Sequence, residues 1–142
     1  MNLGKRYFSY RRDTVIIKIK HGKSKDRTYR KNLYVRALNA QDAIGQEFAV
    51  AQDLVNVCSP CFAFDNAGNG VLTWSQSENG KEWSLRKAEY DSDNNCWKQP
   101  TMVISKRNPR FGSCVYDAQG RLWIAYSVQT NKGREVEVEQ MD

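Results

Sequence analysis

The sequence has a single histidine, His21, and only four cysteines, Cys58, Cys61, Cys96 and Cys114, among 142 residues. That scarcity narrows the metal and acid–base chemistry open to it, and neither a metal site nor a cofactor is expected. Long apolar runs are missing too. Stretches such as Val15-Ile16-Ile17 are far too short to cross a bilayer, so no membrane partner is expected. The start, Met1-Asn2-Leu3-Gly4-Lys5-Arg6-Tyr7, lacks the apolar segment of a secretory signal. As written, the chain is expected in the cytoplasm, or secreted if it has been trimmed. What is present, 40% hydrophobic and 27% charged residues, argues against a disordered polyampholyte and for one domain with a modest core.

Acidic residues are scarce in one region only. Residues 1–36 hold twelve Lys and Arg against Asp13 and Asp26, a balance of +10 within a chain of net charge +6. The remaining 106 residues therefore carry about −4, and the basic character belongs to one quarter of the protein.

The chain repeats itself. Placing Pro60 on Pro109, an offset of 49, also places Phe48 on Trp97 and Tyr34 on Trp83. Further on, Asp65-Asn66-Ala67-Gly68 falls on Asp117-Ala118-Gln119-Gly120 and Trp74 on Tyr126, at an offset of 52, which implies a three-residue insertion after Pro109. Each unit reads as a short apolar strand, an Asp-x-x-Gly turn, a second apolar strand and then mixed strands. Asp favours the first turn position and Gly tolerates the positive φ that follows. In the middle unit the strands are Cys61 to Phe64, Val71 to Trp74, Trp83 to Ala88 and Gln99 to Ser105; in the last they are Phe111 to Tyr116, Leu122 to Tyr126 and Arg134 to Val138. The second strands, apolar on both sides, predict coverage on both faces. A degenerate first unit covers Tyr7 to Tyr10, Thr14 to His21, Leu33 to Leu38 and Glu47 to Val50. For Asn39 to Gln52 a strand is preferred to a helix capped by Asn39.

The expected fold is all-β, built from propeller-like four-stranded antiparallel units in a single domain: residues 1–52, 53–105 and an incomplete 106–142. The alternative is an α+β arrangement with a basic three-stranded sheet and a helix at the N-terminus. Pro60 to Trp74 followed by Ser77-Glu78-Asn79-Gly80-Lys81-Glu82-Trp83 resembles blades of the sialidase-like propellers with BNR (Asp-box) repeats. Asn79 stands where that box has Asp, and Gly80 and Trp83 each come one residue early. The resemblance implies a propeller, and it places no catalytic residue on this chain. Three units are fewer than such rings contain, so sheet edges are expected to be protected by self-association into a homo-oligomer.

Several residues invite chemistry. Cys58-Ser59-Pro60-Cys61 is a C-x-x-C without a second half or a redox context, and its cysteines are read as buried structural thiols. Asp91-Ser92-Asp93-Asn94-Asn95 opens like a calcium loop, but Cys96 and Met102 stand where Gly and Glu are needed, and a polar turn is the better reading. Asp65, Asp117, Glu78 and Glu82 are acid–base candidates, the two aspartates being accounted for by turn geometry. Trp74, Trp83, Trp97, Trp123 and Tyr126 are expected mostly in the core. The best-marked surface is basic: Lys18, Lys20, Lys23, Lys25, Arg27, Tyr29, Arg30 and Lys31, where cations lie among aromatics as polyanion sites require. Together these features predict a non-catalytic binding module for carbohydrate or a protein partner. The alternatives are a nucleic-acid-binding protein using residues 18–31 and a glycoside-processing enzyme completed by oligomerisation.

Overall fold

The computed structural model describes the backbone of residues 15–23, 29–38 and 44–141 and the side chains of residues 31–36 and 46–141. Eleven strands are present among them: β1 Val15–Lys23, β2 Tyr29–Leu38, β3 Ile44–Leu54, β4 Asn56–Phe64, β5 Gly70–Ser77, β6 Ser84–Asp91, β7 Cys96–Trp97, β8 Thr101–Ile104, β9 Arg110–Tyr116, β10 Leu122–Thr130 and β11 Gly133–Met141. No helix occurs among the described residues, and so none that could cross a membrane. The α+β alternative is thereby overturned: residues 44–52 extend as part of β3, paired antiparallel with β2. Phe48 pairs with Val35 and Ala49 with Tyr34 in that ladder, a tertiary pairing that outweighs the local capping signal at Asn39. The strand expected at Tyr7 to Tyr10 lies outside the described residues.

Three sheets form, ordered β1-β2-β3, β4-β5-β6-β7 with β8 also paired to β6, and β11-β10-β9. All pairings are antiparallel. The middle sheet is packed on both faces. Leu72 and Trp74 of β5 join Leu33, Val35, Val50, Ala51 and Leu54 of the first sheet, whereas Val71 joins Ile124, Tyr126 and Val128 of the third. Alternation along β5 sends successive residues to opposite sides, so all eight of its residues are buried. β10 departs from the expected pattern. Leu122, Ile124, Tyr126 and Val128 are buried, but Trp123, Ala125 and Ser127 are half-exposed, because no described sheet covers their side.

The repeat is regular at an offset of 52. Cys58 pairs with Ser75 as Arg110 pairs with Ser127, and Phe64 with Gly70 as Tyr116 with Leu122. Both first strands bulge at the same place, and the bulge residues Ser59 and Phe111 share left-handed backbone (φ 52° and 56°). The position matching Pro60 is Gly112. The 49-residue proline match and the implied insertion are therefore corrected: Pro109 belongs to the connection before β9. The two Asp-x-x-Gly turns close alike, Gly68 N donating to Asp65 O at 3.2 Å and Gly120 N to Asp117 O at 3.0 Å. Their glycines sit at φ 91° and 78°, where a side chain would be strained.

Candidate functional site

At the Ser77 end of β5, the loop from Glu78 to Trp83 and the connection from Ser105 to Pro109 face each other across a cleft of about 460 Å³. Asn79 organises the loop. Its Oδ1 accepts the N–H groups of Lys81 (2.8 Å) and Glu82 (2.9 Å), and the Ser77 hydroxyl oxygen accepts Gly80 N–H at 2.9 Å. The side-chain amide of Asn79 then holds Glu82 at 3.1 Å. Glu78 is aimed differently, by a relay from the core: Trp74 Nε1 donates to Gln76 Oε1 (3.1 Å) and Gln76 Nε2 to Glu78 Oε1 (2.6 Å). Both carboxylates line the cleft.

The opposite wall is set by unusual backbone. Arg107 and Asn108 adopt left-handed conformations (φ 60° and 55°) beside the buried Pro109, costing of order 1–2 kcal/mol each. The bend delivers Asn108 Oδ1 to the N–H of Trp83 at 2.7 Å. The Arg110 guanidinium lies 4.0 Å from the centre of the Trp83 ring, fixing the indole at the cleft wall. Arg86 lines the same cleft and a second one of about 450 Å³ between the first and middle sheets. Its Nε–H is buried and meets no acceptor among the described residues. An aromatic ring, two carboxylates, amides, a hydroxyl and an unpartnered guanidinium donor are thus gathered in one concave place, which suits a polar ligand with an apolar face.

The structure sorts the sequence candidates. Glu78, Glu82 and Trp83 come together in this cleft. Asp65 and Asp117 sit at the other end of the sheets and are consumed by turns: Asp117 Oδ1 accepts Gln119 and Arg121 N–H, and Oδ2 accepts Trp123 Nε1–H at 2.9 Å and Arg121 Nε–H at 2.6 Å. Desolvation opposes ionisation there, but these donors outweigh it and hold the carboxyl well below its usual range. Asp91 Oδ1 accepts the N–H groups of Asp93 and Asn94, both at 3.1 Å, so the calcium-like run is the β6–β7 turn. Among the described residues no group of three or more His, Cys, Asp or Glu could hold a metal ion. Trp74 and Tyr126 are core and the half-buried Trp97 packs against the core cluster, whereas Trp83 and Trp123 are half-buried outside it, which corrects the expectation for those two. Cys58 and Cys61 are half-buried rather than buried.

The basic residues gather at one hairpin end, where β1 and β2 pair His21 with Lys31, Gly22 with Arg30 and Lys23 with Tyr29. Lys18 and Lys20 lie further along β1; Lys25 and Arg27 are outside the described residues. Sequence reasoning missed Arg86, Asn108 and Ser105. Asn108 had only its adjacency to Pro109 as a signal; Arg86 lies within β6 and Ser105 just beyond β8, and nothing local marks either as facing a cleft.

Stacked antiparallel sheets repeated along a chain define a propeller-like fold. Two solved structures share it across nearly all of this chain. One is an endo-arabinase from Bacteroides thetaiotaomicron VPI-5482, with TM-score 0.53 and 14% identity over 90% of this chain and 56% of that one. The other is a thermostable family-43 glycoside hydrolase, with TM-score 0.55 and 14% identity over 91% of this chain and 55% of that one. The chain spans about half the length of these structures, which are five-bladed propellers. At such identity the likeness is one of fold. It bears out a propeller-like architecture and gives no support to the sialidase and BNR assignment. No family model and no curated protein matches the sequence.

Proposed function

We propose that the chain is a carbohydrate-binding propeller module whose glycan site is the cleft beside Trp83. The observation that carries this reading is the cleft itself: an indole clamped by Arg110 offers an apolar platform, while Glu78, Asn108, Ser105 and Arg86 surround it with groups that pair with hydroxyls. The names of the two structural neighbours, both acting on glycosides, favour a sugar over a protein partner. Glycoside processing is the second reading, supported by two carboxylates in one cleft. It requires further blades, supplied by a second copy.

Isothermal titration with arabino-oligosaccharides, and with cello-oligosaccharides for comparison, tests the proposal. Saturable binding is expected, with Trp83→Ala and Arg86→Gln each weakening it at least about tenfold, equivalent to about 1.4 kcal/mol, while Trp83→Phe retains most of it. Absence of saturable binding by both sugars at millimolar concentration overturns the reading. Release of reducing sugar that disappears in Glu78→Gln or Glu82→Gln favours the enzyme over the binding module.

A further inference from the structure

Cys61 and Cys114 meet where the middle sheet packs on the third. They are 53 residues apart in sequence, on the first strands of neighbouring units, β4 and β9. The N–H of Cys114 donates to Cys61 Sγ at 3.3 Å, and Ser113 Oγ lies 3.8 Å from the same sulfur. Cys61 Sγ also lies 3.8 Å from the Cys114 carbonyl oxygen, so three polar contacts join this sulfur to Ser113 and Cys114. We propose that Cys61 and Cys114 are a redox pair that a peroxide closes into a disulfide, stapling the middle sheet to the third.

The environment gives the two sulfurs different roles. Cys61 is half-buried; Cys114 is buried, at 8% exposed. Hydrogen bonding from Cys114 favours negative charge on Cys61 and, against the opposing effect of burial, lowers its pKa to about 5. The Cys114 thiol is pushed up by its bond to Cys61 and by burial, whereas Cys61 Sγ receives the Cys114 N–H, so negative charge is favoured on Cys61. In the first step the Cys61 thiolate attacks one peroxide oxygen, the O–O bond breaks, and Cys61 becomes a sulfenic acid while the departing hydroxide takes up a proton as water. In the second step the Cys114 sulfur attacks Cys61, the S–S bond forms and the S–O bond breaks; the leaving hydroxide takes the Cys114 proton as a second water. Two thiols lose two electrons, and one peroxide is reduced to two waters. Neither remaining cysteine is placed to compete. Cys58 is separated from Cys61 by the β4 bulge, and Cys96 is exposed on β7.

The test treats the full chain with hydrogen peroxide, alkylates it under denaturing conditions and maps the cysteines by mass spectrometry. Two of the four thiols should be protected, in a linked peptide joining Cys61 to Cys114 that a dithiol reductant releases. The oxidised protein should melt several degrees higher than the reduced one, since the bond closes a long loop. Cys58→Ser and Cys96→Ser should keep the link. Cys114→Ser should lose it while Cys61 accumulates as a dimedone-reactive sulfenic acid. In the unmodified native protein at neutral pH, iodoacetamide should alkylate Cys61 at least about tenfold faster than Cys58, a readout that needs no substitution. A link between Cys58 and Cys61, four alkylable thiols after oxidation, or equal alkylation rates would each overturn the proposal.

Discussion

Asp65 and Asp117 show how one residue type can set the geometry of an entire unit. Each carboxylate collects the backbone N–H groups of the turn it opens: Asp65 Oδ1 accepts from Ala67 and Asn69 at 2.8 Å, as Asp117 does from Gln119 and Arg121. Both carboxyls titrate below their ordinary range because these donors prefer the charged form, although burial works the other way. A depressed folded pKa stabilises the fold fully above the unfolded value, about 3.9 for Asp, and that stabilisation is lost as pH falls toward the folded value. Acid titration followed by circular dichroism should therefore show stability declining below about pH 4, and Asp117→Asn should flatten that slope. An unchanged slope in the variant would show that Asp117 contributes nothing to it. The turn role of both aspartates was legible in the Asp-x-x-Gly spacing. The left-handed Ser59, Arg107 and Phe111 were not, since nothing in those residue types announces positive φ; Asn108 is of a type that tolerates it.

At the scale of elements, strand identity followed from pattern, and so did the two-sided cover of β5, whereas the one-sided cover of β10 did not. Val15, Ile17 and Ile19 alternate with Lys18 and Lys20, and β1 forms there. The outer edge of the middle sheet, however, is divided between β7 and β8, both paired to β6, where a single fourth strand was expected near Gln99 to Ser105. Short segments with little alternation leave such a division to tertiary pairing. The β1–β2 hairpin also carries the polyanion reading. If it binds nucleic acid, affinity for a single-stranded oligonucleotide should fall steeply with salt, and changing Lys23, Lys25, Arg27 and Arg30 to Ala should cut it by orders of magnitude and reduce the salt slope by up to about three. Salt-insensitive or absent binding would remove that function from the hairpin.

For the whole molecule, the middle sheet is covered twice and the third sheet once. Val115, Val136 and Val138 are 60%, 75% and 60% exposed on the third sheet's uncovered side. Covering that apolar strip is what the expected self-association would do. Sedimentation velocity should show concentration-dependent dimers or larger rings, and Val136→Lys with Val138→Lys should shift the protein to monomer. A monomer at high concentration before any substitution would contradict this expectation.

Local chemistry was written in the sequence itself: which stretches extend, where Asp and Gly turn the chain, and the near-regular repeat of those signals. They were readable because each depends on residues a few positions apart. Only tertiary structure decided that the 52-residue register holds through the strand bulges, the one-sided cover of β10, the pairing of Trp83 with Asn108 across 25 residues and the meeting of Cys61 with Cys114 across 53. These contacts exist because stacked sheets bring together residues from different units, and which faces stack is settled by packing whole sheets rather than by any single strand.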